Sequence, residues 1–158
     1  MRVLFICLGN ICRSPTAEGM LRRHLEEAGL AERVVVDSCG IGAWHVGKAP
    51  DARARAAAAS RGLDLSALRA RQLDAADFSR FDYLLAMDHD NLVVLEECRP
   101  VGCQAHVGLL LDFAGHRGRA VPDPYYGGDQ GFEEVLDLVE AASRGLVEEL
   151  RRRLEADA

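Results

Sequence analysis

Residues 7–14 read Cys-Leu-Gly-Asn-Ile-Cys-Arg-Ser. A cysteine and an arginine separated by five residues, with Gly-Asn between them, form a set whose parts fit one chemical task. A thiolate is a strong nucleophile. A guanidinium is a planar, permanently charged fork that can grip two phosphoryl oxygens at once. If Cys7 ends a strand and a helix follows directly, the intervening loop turns the backbone N–H groups of Leu8, Gly9, Asn10, Ile11, Cys12 and Arg13 towards one point. The positive end of the helix dipole then adds to that field, which suits a dianionic phosphate. The same field should hold Cys7 as a thiolate, placed to attack phosphorus. Gly9 and Asn10 are residue types that tolerate the left-handed conformations of so tight a loop. Arg13 would favour the phosphoryl group in transit. The Ser14 hydroxyl can donate a hydrogen bond to the sulfur, which also makes it a better leaving group.

A departing alcohol or phenol needs a proton. Residues 122–126 read Pro-Asp-Pro-Tyr-Tyr. Asp123 is the candidate acid, and afterwards the base that activates water. Alone, Asp-Pro signals only a turn; beside the Cys7 loop it becomes chemistry.

The elements that must position these groups follow from pattern. Residues 2–7 are a short apolar run rich in β-formers, broken by Gly9 and Asn10. Ser14 can cap a helix with Pro15 at its first position. Ala17, Met20, Leu21, Leu25 and Ala28 then recur at helical spacing, and Gly29 is the expected stop. A second strand covers 34–36 and ends at Asp37-Ser38. Asp51 should cap an Ala/Arg-rich helix ending near Gly62. A third strand spans 82–87, and Asp88 opens a helix carrying Leu92, Val93 and Leu95. A fourth strand is expected within 104–111, then a loop over about 114–131. The last helix carries Phe132, Val135, Leu136, Val139, Leu146, Leu150 and Leu154 on one stripe. Strands that alternate with helices and read as nearly continuous apolar runs predict a doubly wound α/β fold. It has a four-stranded parallel sheet with helices on both faces, and residues 1–158 form a single domain. Chemistry in such folds lies beyond the carboxyl ends of the strands, where Cys7 to Ser14 fall.

Composition sets the outer limits. The chain has 158 residues, 49% of them hydrophobic and 28% charged, so it is long enough for a real core and is not disordered. The net charge of −6 argues against nucleic acid as a partner, though a local pocket can still be positive. Lys48 is the only lysine. The longest apolar runs, such as Val107 to Leu111, cannot span a bilayer, and the N-terminus lacks a signal-peptide pattern, so no membrane partner and a cytoplasmic location are expected. Five cysteines in that compartment do not imply a disulfide framework. Cys98, Cys103 and His106 have the wrong spacing for a zinc knuckle. Cys98 and Cys103 read instead as buried small hydrophobes.

The chain resembles the low-molecular-weight protein tyrosine phosphatases over nearly its whole length. The resemblance rests on FICLGNICRSPTAEG at 5–19, VDS at 36–38, ARQL at 70–73, FDYLLAMDHDN at 81–91 and DPYYGG at 123–128. It implies a four-stranded doubly wound fold and hydrolysis of phosphotyrosine and aryl phosphates, without metal or other cofactor. It makes Cys7 the nucleophile that forms a phosphocysteine, Arg13 the phosphoryl-binding group and Asp123 the acid and base. Asn10, Ser14 and Ser38 shape the loop and hold the thiolate. Cys12 is the second loop cysteine, able to pair reversibly with Cys7 on oxidation. Trp44, Tyr125 and Tyr126 form the rim of a slot suited to a phenyl ring. The expected partner is a phosphotyrosine protein, and the expected state is a monomer. One departure matters: Leu68 stands where many members carry a histidine that binds the loop Asn, so Asn10 needs another hold, with Ser38 the candidate. Cys39 is either a further redox-sensitive thiol or a small packing residue.

Three other readings share the scaffold. Protein arginine phosphatases carry Thr where this chain has Ile11, and typically lack the paired tyrosines. Thioredoxin-coupled arsenate reductases need two further cysteines, for which only Cys98 and Cys103 are available. A non-catalytic phosphate reader would have no need of Cys7 or Asp123. Ile11 and Tyr125-Tyr126 favour tyrosine.

Overall fold

The computed structural model describes residues 1–125 and 128–157, Asp129 by its backbone only. Strand β1 (Arg2–Cys7) is central, with every residue from Val3 to Cys7 buried. Its side chains alternate between two cores. Val3, Phe5 and Cys7 enter one, and Leu4 and Ile6 enter the other. A strand covered on both faces must be apolar at every position, which is why the run shows no polar alternation.

Around β1 lie β2 (Val35–Gly40), β3 (Tyr83–Ala86) and β4 (His106–Leu109), all parallel, in the order β2-β1-β3-β4. Helix α1 (Arg13–Glu27) and the long α5 (Asp129–Ala156) pack against the first face, with Ala58 of α2 (Ala52–Ala59). Phe78 of the four-residue α3 (Asp77–Arg80) and Leu95 of α4 (His89–Cys98) cover the second. The doubly wound α/β class with helices on both faces is therefore correct. Among the described residues, no helix is long and apolar enough to cross a membrane.

Several boundaries differ from expectation. Asp51 and Asp88 cap α2 and α4 as expected, accepting from Arg53 N–H and Asn91 N–H at 2.8 Å. Ser14 does not cap α1. The cap position is Cys12, with no side-chain cap, and Pro15 is the third helical residue rather than the first. The Ser14 hydroxyl is drawn inward to sulfur instead. β2 extends through Asp37-Ser38 to Gly40, because β1 pairs with it as far as Cys7↔Gly40. The fourth strand is only four residues long and passes into a 3₁₀ turn, Leu110–Ala114. The short α3 has no legible periodicity in so few residues. Cys98 is exposed, not buried, and Cys103 is half-buried with its thiol 3.5 Å from the Phe78 carbonyl.

Candidate active site

The loop from Cys7 to Arg13 joins the carboxyl end of β1 to the N-terminus of α1. Its carbonyls are engaged from outside. Those of Cys7 and Leu8 accept from Ile41 N–H and Gly42 N–H, each at 2.9 Å. That of Ile11 accepts from Asp51 N–H at 2.8 Å, and that of Cys12 from Thr16 N–H and from the Thr16 hydroxyl. Among the described residues no peptide bond is cis. In a trans peptide the N–H points opposite to the C=O of the same unit. The N–H groups of Leu8, Gly9, Cys12 and Arg13 are thereby turned away from those outside partners and towards the loop's interior.

Asn10 makes the sharp bend, at φ 58°, as expected of it. Gly9 does not share that conformation. A Cβ there would lie 2.9 Å from the His45 ring, a side chain that would have to move. Gly40 is needed for space: a Cβ would lie 3.0 Å from both the Gly9 carbonyl carbon and the Leu8 oxygen. These are backbone atoms and cannot swing aside.

Cys7 Sγ sits in this loop, 3.2 Å from Asn10 N–H and 2.9 Å from Ser14 Oγ. The Asn10 amide is oriented by its oxygen, which accepts from Arg71 N–H at 3.0 Å. Its NH2 then donates to Ser14 Oγ at 2.8 Å and to Ser38 Oγ at 3.0 Å. Ser14 already accepts from Asn10, so its own proton is free for sulfur, with the Cys39 carbonyl at 3.4 Å as the longer choice. Ser38 in turn donates to Glu18 Oε1 at 2.6 Å. Donation therefore runs both ways from the Asn10 NH2: through Ser38 to the Glu18 carboxyl, and through Ser14 to the Cys7 sulfur. Asn10 is indeed held through Ser38, and also by the 70–73 segment, which bridges to Gly40. Leu68, in place of a histidine, packs on the apolar core.

Glu18 is 3% exposed. Burial pushes its carboxyl above the ordinary value, opposed by the Ser38 hydrogen bond and by Arg22, whose Nη2 is 2.6 Å from Oε2. Sequence reasoning passed over it. The signal was available: Glu18 lies four residues from Ser14 and four from Arg22, on one helical stripe.

Arg13 is 3% exposed and points to the same centre from the first turn of α1. Its Nη1 donates to Asp88 Oδ2 at 2.6 Å and to the Val121 carbonyl at 3.0 Å. Its Nη2 lies 3.7 Å from Asp123 Oδ2. Asp88 was legible only as a helix start. Its second task follows from β3 lying beside β1, which puts the two strand ends together.

Cys7, Leu8, Gly9, Ile11, Cys12, Arg13, Trp44, His45, Asp123 and Tyr125 line one cavity of about 380 Å³. Trp44 is 68% and Tyr125 37% exposed, as rim residues are. Tyr126 lies outside the described residues. Asn10, Ser14 and Ser38 are buried behind the cavity. The Cys12 thiol is pushed up to about 12, first by burial and then by Asp51, Cys7 and Asp123. Burial also raises Cys39, which packs in the second core and stays a thiol. Among the described residues, no group of three His, Cys, Asp or Glu side chains is placed to hold a metal ion. A nucleophilic sulfur, a loop of convergent N–H groups, a guanidinium and a carboxylic acid across the opening can together transfer a phosphoryl group.

The family described as low molecular weight phosphotyrosine protein phosphatase matches residues 2–156. A relative of that description from Schizosaccharomyces pombe is 47% identical over 143 residues, covering 89% of this chain and 91% of its own. A crystal structure of a protein tyrosine phosphatase from Entamoeba histolytica superposes with a TM-score of 0.92 at 38% identity, covering 96% and 97% of the two chains. A Drosophila arginine phosphatase superposes with a TM-score of 0.88 at 32% identity, covering 95% and 98%.

Proposed function

The chain belongs to the low molecular weight phosphotyrosine protein phosphatases, a family of hydrolases, and on that footing we propose that it hydrolyses phosphotyrosine through a phosphocysteine on Cys7. The observation that carries this reading is the placement of Cys7 Sγ. It lies 3.2 Å from Asn10 N–H and 2.9 Å from Ser14 Oγ, in the cavity that Arg13 and Asp123 also line.

The reaction runs in two displacements. The Cys7 thiolate attacks phosphorus and the bond to the phenolic oxygen breaks. Asp123 gives that oxygen its proton, and Arg13 with the loop N–H groups holds the equatorial oxygens. Water then attacks the phosphocysteine, Asp123 takes its proton, and the S–P bond breaks to return the thiolate. Ser14 stabilises the departing sulfur through its hydroxyl. Leu8 to Arg13 bind the phosphate, Ser38 supports Asn10, and Trp44, Tyr125 and Tyr126 receive the ring. A phosphotyrosine protein is the partner, and the chain acts as a cytoplasmic monomer, one domain over 1–158. Cys12 pairs with Cys7 when the latter is oxidised.

Phosphoarginine is the rival substrate, given the likeness to the Drosophila enzyme. Ile11 in the loop and the Tyr125 ring at the rim favour the flat aryl ester. The test is a panel of phosphotyrosine, phosphoarginine, phosphoserine and arsenate. Phosphotyrosine should be turned over fastest, insensitive to EDTA, with all activity lost in Cys7→Ser. An active Cys7→Ser enzyme, or preference for phosphoarginine, would reject the reading.

A further inference from the structure

Asp123 sits on an exposed segment, yet its carboxyl must hold station over the leaving oxygen. It accepts from Tyr125 N–H at 3.0 Å in a local turn, and Arg13 faces it at 3.7 Å and holds the Val121 carbonyl on its near side. On the far side the tie comes from Arg53 in α2. Its Nη2 donates to the Tyr125 carbonyl at 2.9 Å. Its guanidinium lies 5.5 Å from the centre of the Tyr125 ring and 4.9 Å from that of Phe132, at the start of α5. The fork is fixed from behind by Asp51, whose two oxygens lie 3.2 Å from Nε and Nη2. Asp51 N–H in turn donates to the Ile11 carbonyl of the phosphate loop at 2.8 Å.

We propose that Arg53 is a positioning residue that holds the Asp123 segment in register with the Cys7 loop, through the path Ile11–Asp51–Arg53–Tyr125. A guanidinium suits this task, since it can offer one edge to a carboxylate and another N–H to a carbonyl while its face lies on aromatic rings. General acid catalysis fails with misplacement of the order of 1 Å. The inference rests on the phosphatase reading and assigns no new chemistry.

The test is leaving-group dependence. Arg53 is largely exposed at its side chain, 40%, so Arg53→Ala should leave the core intact. With phenyl phosphate, whose leaving group needs the proton, kcat/KM, which reports the first displacement alone, should fall by about tenfold or more. With p-nitrophenyl phosphate it should fall by less than about threefold. Arg53→Lys should recover part of the loss, because an ammonium can reach the Tyr125 carbonyl but cannot also fork to Asp51. In an Asp123→Ala background, Arg53→Ala should cost almost nothing more, since it acts through Asp123. Equal losses for both substrates, or full additivity with Asp123→Ala, would overturn the assignment and leave Arg53 a stability residue. Failure of the phosphatase reading would look different: Asp123→Ala itself would then show no leaving-group dependence, and the inference would fall with it.

Discussion

Arg13 is held by Asp88: Nη1 and Oδ2 are 2.6 Å apart, while the other Asp88 oxygen caps α4 through Asn91 N–H at 2.8 Å. One carboxylate therefore orients the phosphoryl-binding guanidinium and starts a helix. The two duties can be separated. Asp88→Asn keeps a capping oxygen but loses the charge, and Asp88→Ala loses both. Both should lower kcat/KM by about ten- to a hundredfold, the scale of one charge-assisted hydrogen bond. Only Asp88→Ala should also lose about 1 kcal/mol of stability. Kinetics and thermal unfolding of the two variants check this. Unchanged kinetics would mean that Val121 alone suffices to hold Arg13.

Ser14→Ala removes the hydroxyl 2.9 Å from Cys7 Sγ. The sulfur is then a poorer leaving group, so breakdown of the phosphocysteine should slow more than its formation, by about tenfold. Rapid mixing with p-nitrophenyl phosphate should show a burst of one equivalent followed by a slow steady state. A smaller burst than wild type would place the hydroxyl's effect in the first step.

Glu18 makes stability depend on pH in a direction unusual for a carboxylate. Burial raises its value in the folded chain above that in the unfolded chain, so the folded state binds more protons between the two values. Its contribution is greatest below the ordinary carboxyl value and falls as pH rises through the raised one. Glu18→Gln keeps an acceptor for Ser38 and cannot ionise. Its melting temperature relative to wild type should therefore rise across that window. A constant difference from pH 4 upwards would contradict the sign.

Gly40→Ala would place a methyl group 3.0 Å from the Gly9 and Leu8 backbone. The loop must shift, so activity should drop by about tenfold or more and stability by about 1–3 kcal/mol. Gly128→Ala, where a Cβ meets nothing within 4 Å among the described residues, serves as the control. Equal behaviour of the two would show that the loop yields without cost.

Cys12 must lose its proton to close a disulfide on oxidised Cys7, and burial first of all keeps that proton on. Closure after peroxide should thus be slow at neutral pH and accelerate steadily towards about 12, the value to which the thiol is pushed. Cys12→Ser should not recover under thiol after the same treatment. Full recovery there would remove Cys12 from the protective role.

What could be read from the order of residues was whatever depends on near neighbours. The two-sided apolar runs of β1 and β3 specify a covered parallel sheet. Cys7, Asn10 and Arg13 are close enough in sequence that one strand end and one helix start suffice to bring them together. Asp51 and Asp88 announce their helices by the residue type that caps need. What only the tertiary structure decided are the pairings across elements. Glu18 meets Ser38 because β1 pairs with β2 beneath α1, and Asp88 meets Arg13 because β1 also pairs with β3. Ser14 could have capped its helix, but the buried sulfur and the Asn10 amide offered its hydroxyl partners that solvent at the helix end did not. Local sequence specifies a side chain's range of hydrogen bonds; which of them forms is set by what the sheet order brings within 3 Å.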